Sequence, residues 1–137
     1  MKKILYYFRR FFYFIFYESF NKKIKYNWGS YPPRFDIINN IIKKKNYTTY
    51  LEIGCFKDEN FSQINIENKI GVDPVSGGNL RMTSDQFFLE NKKKFDIIFI
   101  DGLHIYEQVI KDIFNSIKIL NSDGIILIHD CLPRKLW

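Results

Sequence analysis

The chain has 137 residues, 46% hydrophobic and 26% charged, a composition that fits one globular domain with a real core. Its net charge of +6 is uneven: residues 1–45 hold eleven Lys or Arg against Glu18 and Asp36, whereas residues 46–137 hold ten against thirteen acids. The basic excess belongs to the N-terminal arm and the remainder is mildly acidic, so the basic groove that nucleic-acid binding needs is absent.

The first twenty residues carry ten aromatics. A basic start before apolar residues resembles a signal peptide, but Arg9 and Arg10 split the run and no small-residue cleavage site follows. Phe11–Tyr17 is far shorter than the roughly twenty residues that cross a bilayer. Residues 1–28 therefore read as a basic aromatic arm suited to an anionic membrane surface, to a partner's groove, or to packing on its own domain. Asn21–Trp28 is its polar connector, and the domain proper is expected over 29–137.

Pro32-Pro33 opens a predicted helix with an apolar stripe of Phe35, Ile38, Ile41 and Ile42, and Lys43–Lys45 fit its negative end. Tyr47–Ile53 is rich in β-formers and predicts the first, central strand. Gly54 and the segment CFKDENF lead into a short helix expected to end near Ile66. Strand, glycine turn and helix is a phosphate- or nucleotide-cradling layout, although the loop has one glycine and no G-x-G-x-x-G. Lys69–Asp73 predicts a second strand ending in an acid placed to bind ribose hydroxyls. After the loop Pro74–Gly78, a short strand is expected at Asn79–Met82, and Thr83–Gln86 resembles a capping box opening a helix over Phe87, Phe88 and Leu89.

The segment Phe95–Asp130 predicts a βαβ unit. Strands at Ile97–Ile100 and Ile125–Ile128 flank a helix whose apolar residues, Ile105, Val109, Ile110, Ile113, Phe114, Ile117 and Leu120, recur every three or four positions. Glu107, Gln108, Lys111, Asn115 and Lys118 fall on the other face, and Asn121-Ser122-Asp123-Gly124 reads as the turn between helix and strand. A right-handed crossover makes the two strands parallel neighbours, so Asp101, His104, His129 and Asp130 emerge at one carboxyl edge. Such oxygen and nitrogen donors suit a divalent cation such as Mg²⁺ or Mn²⁺, or a general base. Any one of them alone would as readily cap a loop or fill a strand end. Cys55 and Cys131 each end a predicted strand, too far apart for a disulfide, which points to reduced thiols in a cytoplasmic protein.

Taken together, YLEIGC, IGVDP, MTSDQFF, FDIIFIDGLHIYEQVIKDI and GIILIHDCLP resemble class I S-adenosylmethionine-dependent methyltransferases. The likeness is greatest to the small methyltransferase-domain subgroup related to metal-assisted O-methyltransferases of sugars and natural products, and it covers about Trp28 to Pro133. It implies an α/β, Rossmann-like sheet of five parallel strands with flanking helices. It also implies that Glu52 and Gly54 shape the loop around the methionine part of the cofactor, that Asp73 takes the ribose hydroxyls, and that Ser84 and Asp85 lie beside the adenine. Asp101, His129 and Asp130 match positions that bind a divalent metal in metal-dependent relatives, with His104 close by. Asp101 counts among the cofactor-binding positions too, and Asp101, His104 and His129 are the catalytic candidates.

Cys55-Phe56-Lys57-Asp58 departs from the resemblance, standing where many members carry further glycines. The family fold also continues past its fifth strand with a helix and two strands, so a sheet lacking its last two strands, and self-association through the open edge, are expected. The implied activity is methyl transfer to an oxygen of a small molecule or sugar. The alternatives are a non-catalytic cofactor-binding module docked by its arm to a membrane or partner, and a nicotinamide-binding domain, which the single-glycine loop disfavours.

Overall fold

Alternating β-rich and amphipathic segments in this chain build a four-stranded, all-parallel sheet. The computed structural model describes residues 24–131, so the aromatic part of the arm lies outside the described residues. Pro32–Asp130 packs as one unit, and residues 24–31, with a 3₁₀ turn at Trp28–Ser30, belong to a second. Helix α1 spans Arg34–Lys45, strand β1 Thr49–Ile53 and strand β2 Asn68–Val72. Helix α2 (Ser84–Glu90), strand β3 (Phe95–Ile100), helix α3 (Tyr106–Ile119) and strand β4 (Leu120–Ile128) follow. The strand order is β2-β1-β3-β4. This is the expected Rossmann-like arrangement of parallel strands with flanking helices. Among the described residues no helix is long and apolar enough to cross a membrane.

Strand β3 is buried along nearly its whole length, as a central parallel strand must be when both faces are covered. Alternation divides its side chains: Ile97 and Phe99 join Tyr50 and the inner face of α1, Ile38 and Ile42. Ile98 and Ile100 join Leu51, Ile53, Val72 and Phe87 on the other side. The stripe predicted for α1 is the one that packs, and its C-cap is Asn46 in the left-handed region at φ 55°. The capping box at α2 also forms: Gln86 N donates to the Thr83 hydroxyl at 3.2 Å, and Thr83 N donates to Gln86 Oε1 at 3.1 Å.

Four expectations are corrected. The segment at Asn79–Met82 is no strand but a single parallel bridge, Val72 to Leu80, and Thr83 three residues on already caps the next helix. The helix expected to run to Ile66 is one 3₁₀ turn, Phe61–Gln63, since Ile64 is already extended. Asn121–Gly124 is not a free turn: α3 passes straight into β4, and these residues form an irregularity inside the strand, between the pairs Phe95–Leu120 and Ile97–Ile125. Helix α3 is rotated from the predicted stripe: it buries Asp112 and Ser116, and Ile105, Phe114 and Ile117 are exposed.

Asp96 explains why β4 can tolerate its irregularity. Its Oδ2 accepts from the backbone N–H groups of Thr48 and Thr49 at 2.8 and 3.0 Å, and its Oδ1 accepts from Asn121 Nδ2 at 2.7 Å. One carboxylate thus straps β1, β3 and β4 together. Burial opposes its charge, but these donors outweigh burial and hold its pKa down to about 2 from 3.8. Removing charge-assisted bonds of this kind costs about 1.5–3 kcal/mol, so Asp96→Ala should lower unfolding stability by that amount at neutral pH. A depressed carboxylate stabilises the fold above its unfolded pKa. The deficit of the variant in urea titrations should therefore be full above 3.8 and shrink as pH falls toward about 2.

Candidate functional site

Parallel strands deliver the ends of β1, β2 and β3 to one edge, and a pocket of about 610 Å³ opens there. That volume lies within the usual range for small-molecule sites. Its walls are Gly54 and Phe56 after β1, Asp73 to Val75 after β2, Thr83 to Asp85 at the start of α2, Asp101 to His104 after β3, and Gln108 of α3.

The floor is organised by Asp73. Its Oδ2 accepts from the backbone N–H groups of Cys55 and Phe56 at 3.1 and 2.9 Å, and its Oδ1 from those of Val75 and Ser76 at 2.8 and 2.9 Å. Burial alone would raise its pKa, but the four N–H donors together lower it. The same two loops are cross-tied by the Gly78 N–H donating to Asp58 Oδ1 at 2.6 Å and by Ser76 Oγ donating to the Phe56 carbonyl at 2.9 Å. Phe56 and Asp58 are held at φ 46° and 62°, where non-glycine residues are strained. Gly77 allows this contact, since a Cβ there would lie 2.3 Å from the Phe56 oxygen.

Glu52 does not reach the pocket. It is buried on the α1 side of the sheet, where Tyr50 Oη and Asn60 Nδ2 both donate to its Oε2, the latter at 2.9 Å. Burial raises its pKa against the pull of these donors. Glu52 thereby anchors Asn60, which closes the loop after β1. Gly54 stands at φ 87° in van der Waals contact with the end of β3, and a Cβ there would meet the Asp101 carbonyl oxygen at 2.3 Å. Only glycine lets these two strand ends approach so closely.

Asp101 is the hub of the far side. Its Oδ1 lies 2.9 Å from His129 Nδ1 and 3.6 Å from His104 Nε2, and its Oδ2 is held by the Arg34 guanidinium. Asp130, in the left-handed region at φ 53°, reaches His129 Nδ1 at 3.3 Å. One ligand atom each from Asp101, His104 and His129 falls within 4.8 Å of the others. Asp130 belongs to this edge but not to that trio. A carboxylate oxygen with two imidazole nitrogens suits a borderline divalent ion such as Zn²⁺ or Fe²⁺, and accommodates Mn²⁺, better than Mg²⁺, which prefers an all-oxygen shell.

The opposite wall is built around Gln108. Its Nε2 lies 3.1 Å from Ser84 Oγ, 3.1 Å from Asp85 Oδ1 and 3.0 Å from Asp112 Oδ1. Gln108 and Lys111 together lower the pKa of Asp85, whereas burial raises that of Asp112. Of the residues singled out in the sequence, Gly54, Asp73, Ser84, Asp85, Asp101 and His104 line the pocket, His129 and Asp130 stand behind Asp101, and Glu52 supports from beneath. Arg34, Gln108 and Asp112 were not foreseen. The one signal for Arg34 was a cation in the first turn of a helix, where the dipole disfavours it.

A family model described as "Methyltransferase domain" matches residues 45–131, which include all four strands. An uncharacterized protein of Acanthamoeba polyphaga mimivirus is 30% identical over 128 aligned residues, covering 70% of this chain and 58% of that protein. The chain thus spans less than two thirds of the length of that relative.

Asp73→Asn keeps the side chain's shape but removes its charge and one of its two acceptor oxygens. Losing charge-assisted bonds of about 1.5–3 kcal/mol should speed local amide exchange roughly tenfold to a hundredfold. Hydrogen-exchange mass spectrometry should find the increase in the peptides covering Cys55–Phe56 and Val75–Ser76, with β3 still protected.

Proposed function

The chain belongs to the methyltransferase-domain family, and from that premise we propose that it transfers a methyl group from S-adenosylmethionine to an oxygen of a small molecule or sugar. The observation that carries this reading is the pocket at the carboxyl edge of β1–β3, with Asp101 and His104 in its wall and His129 behind Asp101. Open α/β sheets bind their ligands at this edge.

S-adenosylmethionine brings a methyl group already activated on a sulfonium, so the protein's task is to hold the cofactor, align an acceptor oxygen and remove its proton. Gly54 and the loop fixed by Asp73 would form the floor beneath the cofactor, and Ser84, Asp85 and Gln108 offer polar groups at the opposite end. His129, whose Nδ1 lies 2.9 Å from Asp101 Oδ1, would take the acceptor's proton, with the carboxylate stabilising the imidazolium that results. Asp101, His104 and His129 would hold a divalent cation, whose chemistry would be to lower the pKa of the acceptor hydroxyl.

Calorimetric titration should show S-adenosylhomocysteine binding to the chain and NAD failing to bind. His129 does not line the pocket, so His129→Ala should leave S-adenosylhomocysteine affinity nearly unchanged. It should lower the methyl-transfer rate by about 10²–10⁴-fold, the usual worth of a positioned base. Binding of NAD in preference to S-adenosylhomocysteine would overturn the assignment. Tight S-adenosylhomocysteine binding without turnover on any hydroxylated acceptor would favour a cofactor-binding module instead.

A further inference from the structure

The carboxylate at the centre of the candidate cation cluster already has a cation. Arg34 lies 67 positions before Asp101 in the chain, yet its Nη1 contacts Asp101 Oδ2. The other oxygen, Oδ1, faces His129 Nδ1 at 2.9 Å and His104 Nε2 at 3.6 Å. The carboxylate that would complete the trio is therefore already engaged by a guanidinium. An arginine stays charged at any physiological pH and presents a rigid fork matched to a carboxylate.

The position of Arg34 is itself unusual. It is the first residue of α1, whose N-cap is Pro33 with no side-chain cap, so the helix dipole disfavours a positive charge there. The counter-charge is Asp101, brought from the end of β3, and the Arg34 side chain is partly exposed, free to leave toward solvent. A divalent ion placed among Asp101, His104 and His129 would share the carboxylate with this guanidinium, and like charges that close repel strongly in a partly desolvated site.

We propose that Arg34 is the resident cation of this edge, and that a divalent ion enters only by displacing it from Asp101. The inference rests on the reading of Asp101, His104 and His129 as a cation site and adds the element that sets its affinity. In the metal-free state Arg34 neutralises Asp101 and holds the end of β3 against the start of α1. In the loaded state the ion takes over the carboxylate and Arg34 turns to solvent or to an anionic group on the substrate.

The test is Mn²⁺ binding to the full chain, read by calorimetry and by water-proton relaxation, with no catalytic turnover involved. Arg34→Gln should bind Mn²⁺ about tenfold or more tightly than the parent, because the competing charge is gone. Arg34→Lys, which keeps the charge, should stay near the parent, and Asp101→Asn placed on Arg34→Gln should abolish the gain. Circular dichroism verifies that each variant is folded. If Arg34→Gln binds no more tightly than a parent that does bind, or if Arg34→Lys gains as much, the role of Arg34 is overturned while the cation site stands. Uptake of Mn²⁺ by neither protein overturns both. S-adenosylhomocysteine titrated alongside reports separately on the methyltransferase reading, which does not depend on either outcome.

Discussion

Four backbone N–H groups from two loops converge on the carboxylate of Asp73, and the shape of the whole edge depends on them. Left-handed backbone at a bulky residue such as Phe56 costs on the order of 1–3 kcal/mol, and Asp58 adds a second such position two residues on. Charge-assisted bonds to Asp73 offset that strain, and they do so only while the carboxylate is ionised. The same anion fixes where the loop after β1 runs, and hence how Gly54 meets the end of β3. Sequence, strain and pocket floor are linked through one side chain.

The two carboxylates that end β2 and β3 differ in kind. Asp73 is satisfied by neutral amides of its own loops, and Arg81 Nη1, 3.9 Å from Oδ1, is a distant partner that instead donates to the Asp73 carbonyl oxygen at 2.9 Å. Its oxygens carry about as many bonds as a carboxylate accepts, so a ligand hydroxyl at this point would have to share an acceptor already in use. Asp101 is satisfied by cationic or titratable groups, Arg34, His104 and His129, each on a different element. Those partners are side chains rather than loop amides. The edge thus divides into a floor tied by backbone N–H groups at Asp73 and a rim tied by side chains at Asp101.

Much of this was legible because it is local. The strands announce themselves by β-branched and aromatic runs, the capping box at Thr83–Gln86 by its spacing, and the convergence of Asp101 and His129 by the rule that a βαβ unit returns its second strand parallel to the first. What escaped is nonlocal or depends on competition between faces. No spacing pairs Arg34 with Asp101, because only the packing of α1 beside β3 brings them together. Asn121–Gly124 has the composition of a turn, yet Asp96 captures Asn121 and draws the segment into the strand, and Tyr47 Oη adds a bond to the Asp123 carbonyl. The aromatic arm lies outside the described residues, and its reading as a membrane or partner contact stays a proposal from composition.

Helix α3 shows why periodicity alone misplaced a face. Its apolar residues extend round more than half of the helix, so hydrophobicity permits several rotations about the axis and cannot choose among them. The choice falls to Asp112, which is 1% exposed and carries a carboxyl group that burial drives toward its neutral form. A buried carboxyl is tolerable only with a partner, and Gln108, one turn earlier, supplies it from the same helix face. That amide also reaches Ser84 and Asp85 at the start of α2. Turning the helix would keep the Gln108–Asp112 contact, which lies within α3, but would break those to Ser84 and Asp85 and withdraw Gln108 from the pocket wall. Leaving Phe114 and Ile117 in solvent costs little, since single exposed apolar side chains are common on protein surfaces. The contacts of Gln108 to α2 therefore fix the rotation of α3, and through it the composition of the pocket wall.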